Sequence, residues 1–169
     1  MIATEPSILA PIATATAILI AGAVDDLRSR KVHNWLFLAC AAVALVVVAV
    51  FGGVGAVPMA LLGFVAGIGV LLPLVLLKVI GAGDMKLLAA FGIAAGAQAV
   101  ITVALYSLVW GAFFGLMQVV INGQIKQVIS NMFSIVVMRE RQGLTLHKIP
   151  FTIALFFGWL SHLVLSGVL

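Results

Sequence analysis

Charge is what this chain has least of. Lys, Arg, Asp and Glu make up 8% of its 169 residues against 64% hydrophobic ones, and the mean hydropathy is +1.33. A soluble domain carries roughly a quarter charged residues, so nine basic and five acidic side chains cannot cover a water-facing surface of this size. The shortage excludes a cytosolic enzyme, a nucleic-acid-binding domain and a disordered tail, and it leaves an integral membrane protein whose solvent is the lipid bilayer. A net charge of +4 would point to nucleic acid in a soluble chain; in a membrane protein it reports orientation. Cysteine is nearly absent as well. Cys40 stands alone in an apolar run, which excludes a disulfide framework and a Cys-x-x-Cys metal or redox pair.

What is present is a set of long uncharged runs, at 6–24, 32–77, 87–125 and 149–169. A spanning helix takes about 20 apolar residues. The first and last runs hold one span each. The second holds two, divided at Gly52-Gly53-Val54-Gly55-Ala56-Val57-Pro58. The third holds a short helix from Asp84, a break near Gly96-Ala97-Gln98 and a longer helix to about Ile121. The expected fold is all-α: a single membrane-embedded domain over 1–169 with six transmembrane helices at about 8–24, 35–51, 57–79, 84–96, 99–121 and 150–168. Alternating spans put the loops 25–34, 78–86 and 122–149 on one side. Those loops hold all nine basic residues, namely Arg28, Arg30, Lys31, Lys78, Lys86, Lys126, Arg139, Arg141 and Lys148. The positive-inside rule then makes that side cytoplasmic and both termini non-cytoplasmic. The start, Met1 to Pro6, has no basic n-region, so the first helix is expected to be a retained span.

Within 122–149, Ile125, Val128, Ile129, Met132, Phe133, Val136 and Val137 recur at helical spacing opposite Lys126, Gln127, Ser130, Asn131 and Ser134. This pattern predicts an amphipathic helix over about 124–138 lying on the cytoplasmic face. Pro150 suits the start of the last helix, where its missing N–H is not needed. The Gly-x-x-x-Gly pairs Gly63/Gly67, Gly92/Gly96 and Gly111/Gly115 are read as close packing inside the bundle.

Of the five acidic residues, Glu5 and Glu140 lie where water reaches them. Asp25, Asp26 and Asp84 fall at the cytoplasmic ends of the first and fourth helices, so two helices bring carboxylates to one depth. A carboxylate pair sharing a proton can activate water, one member as base and the other as acid. Asp84 follows Gly81-Ala82-Gly83, whose glycines permit close backbone approach or positive φ and could seat an extended substrate. The plainer reading makes Asp84 a helix N-cap and Asp25 and Asp26 part of a neutralised interfacial cluster with Arg28, Arg30 and Lys31.

Gly81-Ala82-Gly83-Asp84-Met85-Lys86-Leu87-Leu88 resembles the GxGDxKLL signature of type IV prepilin peptidases, membrane aspartic proteases of the GxGD class. Asp26-Leu27-Arg28-Ser29-Arg30-Lys31-Val32-His33-Asn34 resembles that family's first motif, with His33 where Pro is usual, and Lys148-Ile149-Pro150-Phe151 resembles the start of its last helix. The resemblance implies an aspartic endopeptidase of the bacterial inner membrane that needs no cofactor or metal. Asp26 and Asp84 would be its catalytic pair, with Gly81, Gly83, Lys86, Asp25 and Asn34 as substrate-binding or supporting residues. Its substrate would be a prepilin or pseudopilin, with a short basic leader and an apolar helix, cut at the cytoplasmic face after a glycine. With ten residues between the first two helices and one cysteine, no cytoplasmic methyltransferase module is expected. The subtype is then the short, peptidase-only branch serving tight-adherence (Flp) pili.

Three other readings compete. A small transporter or channel would place ionisable groups near the bilayer centre, where the helices offer Thr14, Thr16, Thr102, Ser107 and Gln118. A metal-dependent protease would use His33 or His147, yet no His-Glu-x-x-His pair is present. Another GxGD-type intramembrane protease would share the carboxylates and differ in substrate.

Overall fold

Apolar runs this long form helices because a backbone surrounded by hydrocarbon must satisfy its own N–H and C=O groups. A computed structural model describes residues 5–29, 32–121, 123 and 151–167. It contains α1 (Pro6–Ser29), α2 (Asn34–Gly52), α3 (Val57–Leu76), α4 (Ala82–Ile121) and α5 (Phe151–Leu165), with a 3-10 turn at Val54–Ala56, and no strand among the described residues. Four stretches are long and apolar enough to cross a membrane: α1, α2, Val54–Leu76 and α4; α5 is apolar but shorter. The expected amphipathic helix at 124–138 lies outside the described residues, as do Arg30, Lys31, Glu140, His147, Lys148 and Pro150.

Several boundaries differ from the expectation, among them the start of α4 at Ala82 rather than Asp84 and the end of α5 at Leu165 rather than 168. α1 runs past residue 24 to Ser29, so Asp25, Asp26 and Arg28 lie on its last turns rather than in a loop. Charge marks where water begins, and a helix can continue into water. α3 ends at Leu76 instead of 79. Lys78 takes φ 58, and the Val79 N–H returns to the Leu74 carbonyl at 2.9 Å. A non-glycine residue in that left-handed region does not continue a helix.

The break expected near Gly96 is present. Gly96 has φ 83 and ψ 165, a conformation essentially restricted to glycine, and it divides α4 into arms 82–95 and 97–121. The arms fold against each other. A Cβ on Gly92 would lie 2.9 Å from Val100 Cγ2. The second arm returns to the level where α4 began: Leu108, Gly111 and Phe114 line a groove of about 250 Å³ together with Val79, Ile80 and Phe151.

Glycine sets the closest approaches. A Cβ on Gly63 would collide with the Gly92 carbonyl, and one on Gly67 would lie 2.6 Å from Ala89 Cα, so α3 and the first arm of α4 meet backbone to backbone. Gly111 faces Phe151 of α5, whereas Gly96 and Gly115 face open space among the described residues. Packing inside the bundle therefore holds for both members of the first glycine pair and for one member each of the second and third. Leu19, Leu71, Leu87, Leu88, Val103 and Leu155 are fully buried, and Phe91 meets Trp159 edge to face at 5.1 Å. The resulting bundle brings the end of α1, the turn into α2, the start of α4 and the start of α5 to one end.

Candidate active site

Asp25 and Asp26 are successive residues on a helix, so their side chains diverge by about 100°, and the structure gives them separate partners. Asp25 turns towards its own chain. Its Oδ2 accepts the backbone N–H of His33 at 2.9 Å, and its Oδ1 lies 3.0 Å from His33 Nδ1. His33 is the N-cap of α2, with φ −71 and ψ 142, and makes no side-chain cap bond. Asp25 thus ties the end of α1 to the start of α2. The family's usual proline at this position has no N–H to donate, so the backbone bond depends on the residue by which this chain departs from the motif.

Asp26 turns inward. Its Oδ2 accepts the Thr152 hydroxyl of α5 at 3.0 Å, across 126 residues of sequence. Thr152 is not among the polar residues expected in the helix interiors, although it is a hydroxyl directly after Pro150-Phe151 in an otherwise apolar stretch. Asp84, 9% exposed, is the buried carboxylate of the described residues. It is the third residue of α4 and not its N-cap: its N–H donates to the Gly81 carbonyl at 3.2 Å. Asp26 and Asp84 lie close enough for their like charges to interact.

Three contacts hold the two carboxylates at this end. Gly22, one turn before Asp26, receives the Leu87 side chain, which sits one turn after Asp84; a Cβ on Gly22 would collide with it. Gly83 faces Val32, whose Cβ would lie 3.1 Å from a Cβ at 83. Lys86 Nζ donates to Asn34 Oδ1 at 2.8 Å, which joins α4 to the first residue of α2. Gly83, Lys86, Asp25 and Asn34 thus all lie at the junction of the two motifs. Of the two roles expected for Gly81 and Gly83, close approach and positive φ, the second is not found. Among the described residues the positive-φ glycines are Gly53, Gly96, Gly123 and Gly167. Gly81 and Gly83 instead leave room, Gly81 for the Asp84 carboxylate and Gly83 for Val32.

The two described histidines, His33 and His162, do not converge. His33 is engaged by Asp25, and His162 stacks on Trp159 with ring centroids 5.5 Å apart near the other end of the bundle. Among the described residues no group of three or more His, Cys, Asp or Glu side chains is arranged to hold a metal ion.

Carboxylates from two different helices, one buried and one held by a hydroxyl at a half-buried position, thus share one end of the bundle. A water between them would meet one group able to take a proton and one able to give it. No curated protein and no solved structure matches the chain. A model of the type IV leader peptidase family does match, over residues 13–116, which include both Asp26 and Asp84 and stop before α5. That match covers well over half of the sequence, so the chain belongs to the type IV leader peptidase family.

Proposed function

We propose that this protein is an aspartic endopeptidase that removes the short basic leader from a prepilin or pseudopilin, with Asp26 and Asp84 as the catalytic pair. The observation that carries this reading is that carboxylates from separate helices lie at one end of an apolar bundle, close enough for their charges to interact. One carboxylate takes the proton of the attacking water while the other, protonated, polarises the scissile carbonyl. The proton then passes to the leaving amine, which returns the pair to its starting state. One proton is shared between the two carboxylates in this reading, so neither aspartate has a fixed role.

In this reading the bundle crosses the bacterial inner membrane six times, with the two arms of α4 as separate spans and the carboxylates at the cytoplasmic face. Arg28, Lys78 and Lys86 support that orientation: they are the basic residues among those described, and they lie at the end that holds the carboxylates, whereas Glu5 precedes α1 at the other end. The short connection between α1 and α2 supports a peptidase without a methyltransferase module, serving Flp-type pili.

The test is cleavage of a candidate prepilin by purified protein in detergent. Wild type should release the leader, and Asp26→Asn and Asp84→Asn should each lower the rate by about three orders of magnitude or more while remaining folded. Full cleavage by either variant overturns the assignment. Cleavage of other membrane peptides but no prepilin would leave the aspartic chemistry standing with a different substrate.

A further inference from the structure

We infer that Thr152 is a positioning residue for the proposed reaction: its hydroxyl sets the orientation of the Asp26 carboxylate and makes the last helix part of the active site. The inference rests on the catalytic role proposed for Asp26.

The hydroxyls of Thr14, Thr16, Thr102, Ser107 and Ser161 all return to the carbonyl four residues back in their own helix. Thr152 is the second residue of α5, so no carbonyl of its own helix lies four residues behind it. Its hydroxyl crosses to α1 and donates to Asp26 Oδ2. The side chain is fully buried, with 0% exposure. A buried hydroxyl that loses its partner is costly, and so is a carboxylate that loses its donor. Asp26 needs such a donor. It sits one turn from the C-terminal end of α1, where the helix dipole opposes a negative side chain, and the adjacent Asp25 has taken the His33 N–H.

A hydroxyl has one proton to donate. With that proton on Oδ2, the other oxygen, Oδ1, is left to receive a proton from water or to share one with Asp84. The carboxylate is thereby held in one rotamer rather than turning about its terminal torsion, which is broad for Asp.

The same helix pair carries a built-in comparison. Trp159 Nε1 donates to Thr16 Oγ1 at 2.8 Å, so α5 is bonded to α1 at two levels, and the second lies about two turns along α5 from Thr152 and nearly three along α1 from Asp26. Removing either bond loosens the α1–α5 contact, but only Thr152 touches Asp26.

The experiment measures steady-state cleavage of a prepilin and thermal stability in detergent for Thr152→Val, Thr152→Ser and Trp159→Phe. Thr152→Val should lower kcat by between about 10- and 100-fold, the scale of a misplaced catalytic group, with KM within about twofold. Thr152→Ser, which keeps the donor, should recover most of the wild-type kcat. Trp159→Phe should lower the melting temperature and spare kcat. If Thr152→Val does not yield a folded, monodisperse protein, Thr152→Ala gives the same comparison with Thr152→Ser. Wild-type kcat in Thr152→Val, or equal losses in the Val and Ser variants, overturns the inference. Because Asp26→Asn is assayed alongside, an active Asp26→Asn would instead report failure of the proposed function.

Discussion

Adjacent aspartates on one helix have different environments because the helix turns about 100° between them. Asp25 faces the α1–α2 turn and Asp26 faces α5. Asp25→Asn should therefore keep kcat within a few-fold of wild type while lowering the melting temperature, a split that cleavage and thermal unfolding assays separate. A tenfold or greater loss of kcat at unchanged stability would assign Asp25 to the chemistry. His33→Pro probes the same contact from the other side. The observed φ of −71 suits proline, so the substitution removes the N–H without straining the turn. In a double-mutant cycle, His33→Pro and Asp25→Ala should together cost less stability than the sum of the two alone. Additivity would show that the bond contributes nothing. The sequence marks both aspartates equally, and the motif resemblance favours Asp26; their partners depend on residues 8 and 126 positions away.

Helices are positioned here by missing side chains. Gly63 and Gly115 both belong to Gly-x-x-x-Gly pairs, yet a Cβ on the first meets the Gly92 carbonyl and one on the second meets nothing within 4 Å. Gly63→Ala should destabilise the protein by roughly 1–3 kcal/mol through forced separation of α3 and α4. Gly115→Ala should be neutral or stabilising, since alanine is the better helix former. Melting temperatures in one detergent compare them directly, and equal effects would remove the packing account. Gly96 is a third case. Nothing crowds it, but its φ of 83 penalises any side chain, so Gly96→Ala should cost about 1–3 kcal/mol despite the open space. The pattern of glycines located the break in α4, and hydropathy located α2 almost to the residue. The ends of α1 and α3 were less legible. They depend on where a helix leaves the membrane and on the left-handed Lys78, neither of which hydropathy records.

Across the whole molecule, charge reports orientation. In a Cys40→Ser background, Glu5→Cys and Ser166→Cys should react with a membrane-impermeant maleimide on intact cells, and Lys78→Cys only after lysis. The reverse pattern would invert the proposed topology and move the carboxylates away from the cytoplasmic face. Chelator treatment should leave cleavage unchanged, and inhibition reversed by added metal would favour a metal-dependent site over the aspartate pair.

The bilayer imposes its demands on each segment separately, so they could be read along the sequence: apolar runs that form helices, glycines that break them, and two carboxylate motifs characteristic of a peptidase family. Partnership between side chains is a different kind of property. The hydroxyl of Thr152 on Asp26, the N–H of His33 on Asp25, and Leu87 seated over Gly22 each join residues whose own neighbourhoods give no sign of the other. Only the arrangement of α1, α2, α4 and α5 brings them together, because a hydrogen bond or a close approach depends on where two helices meet and not on how hydrophobic either one is.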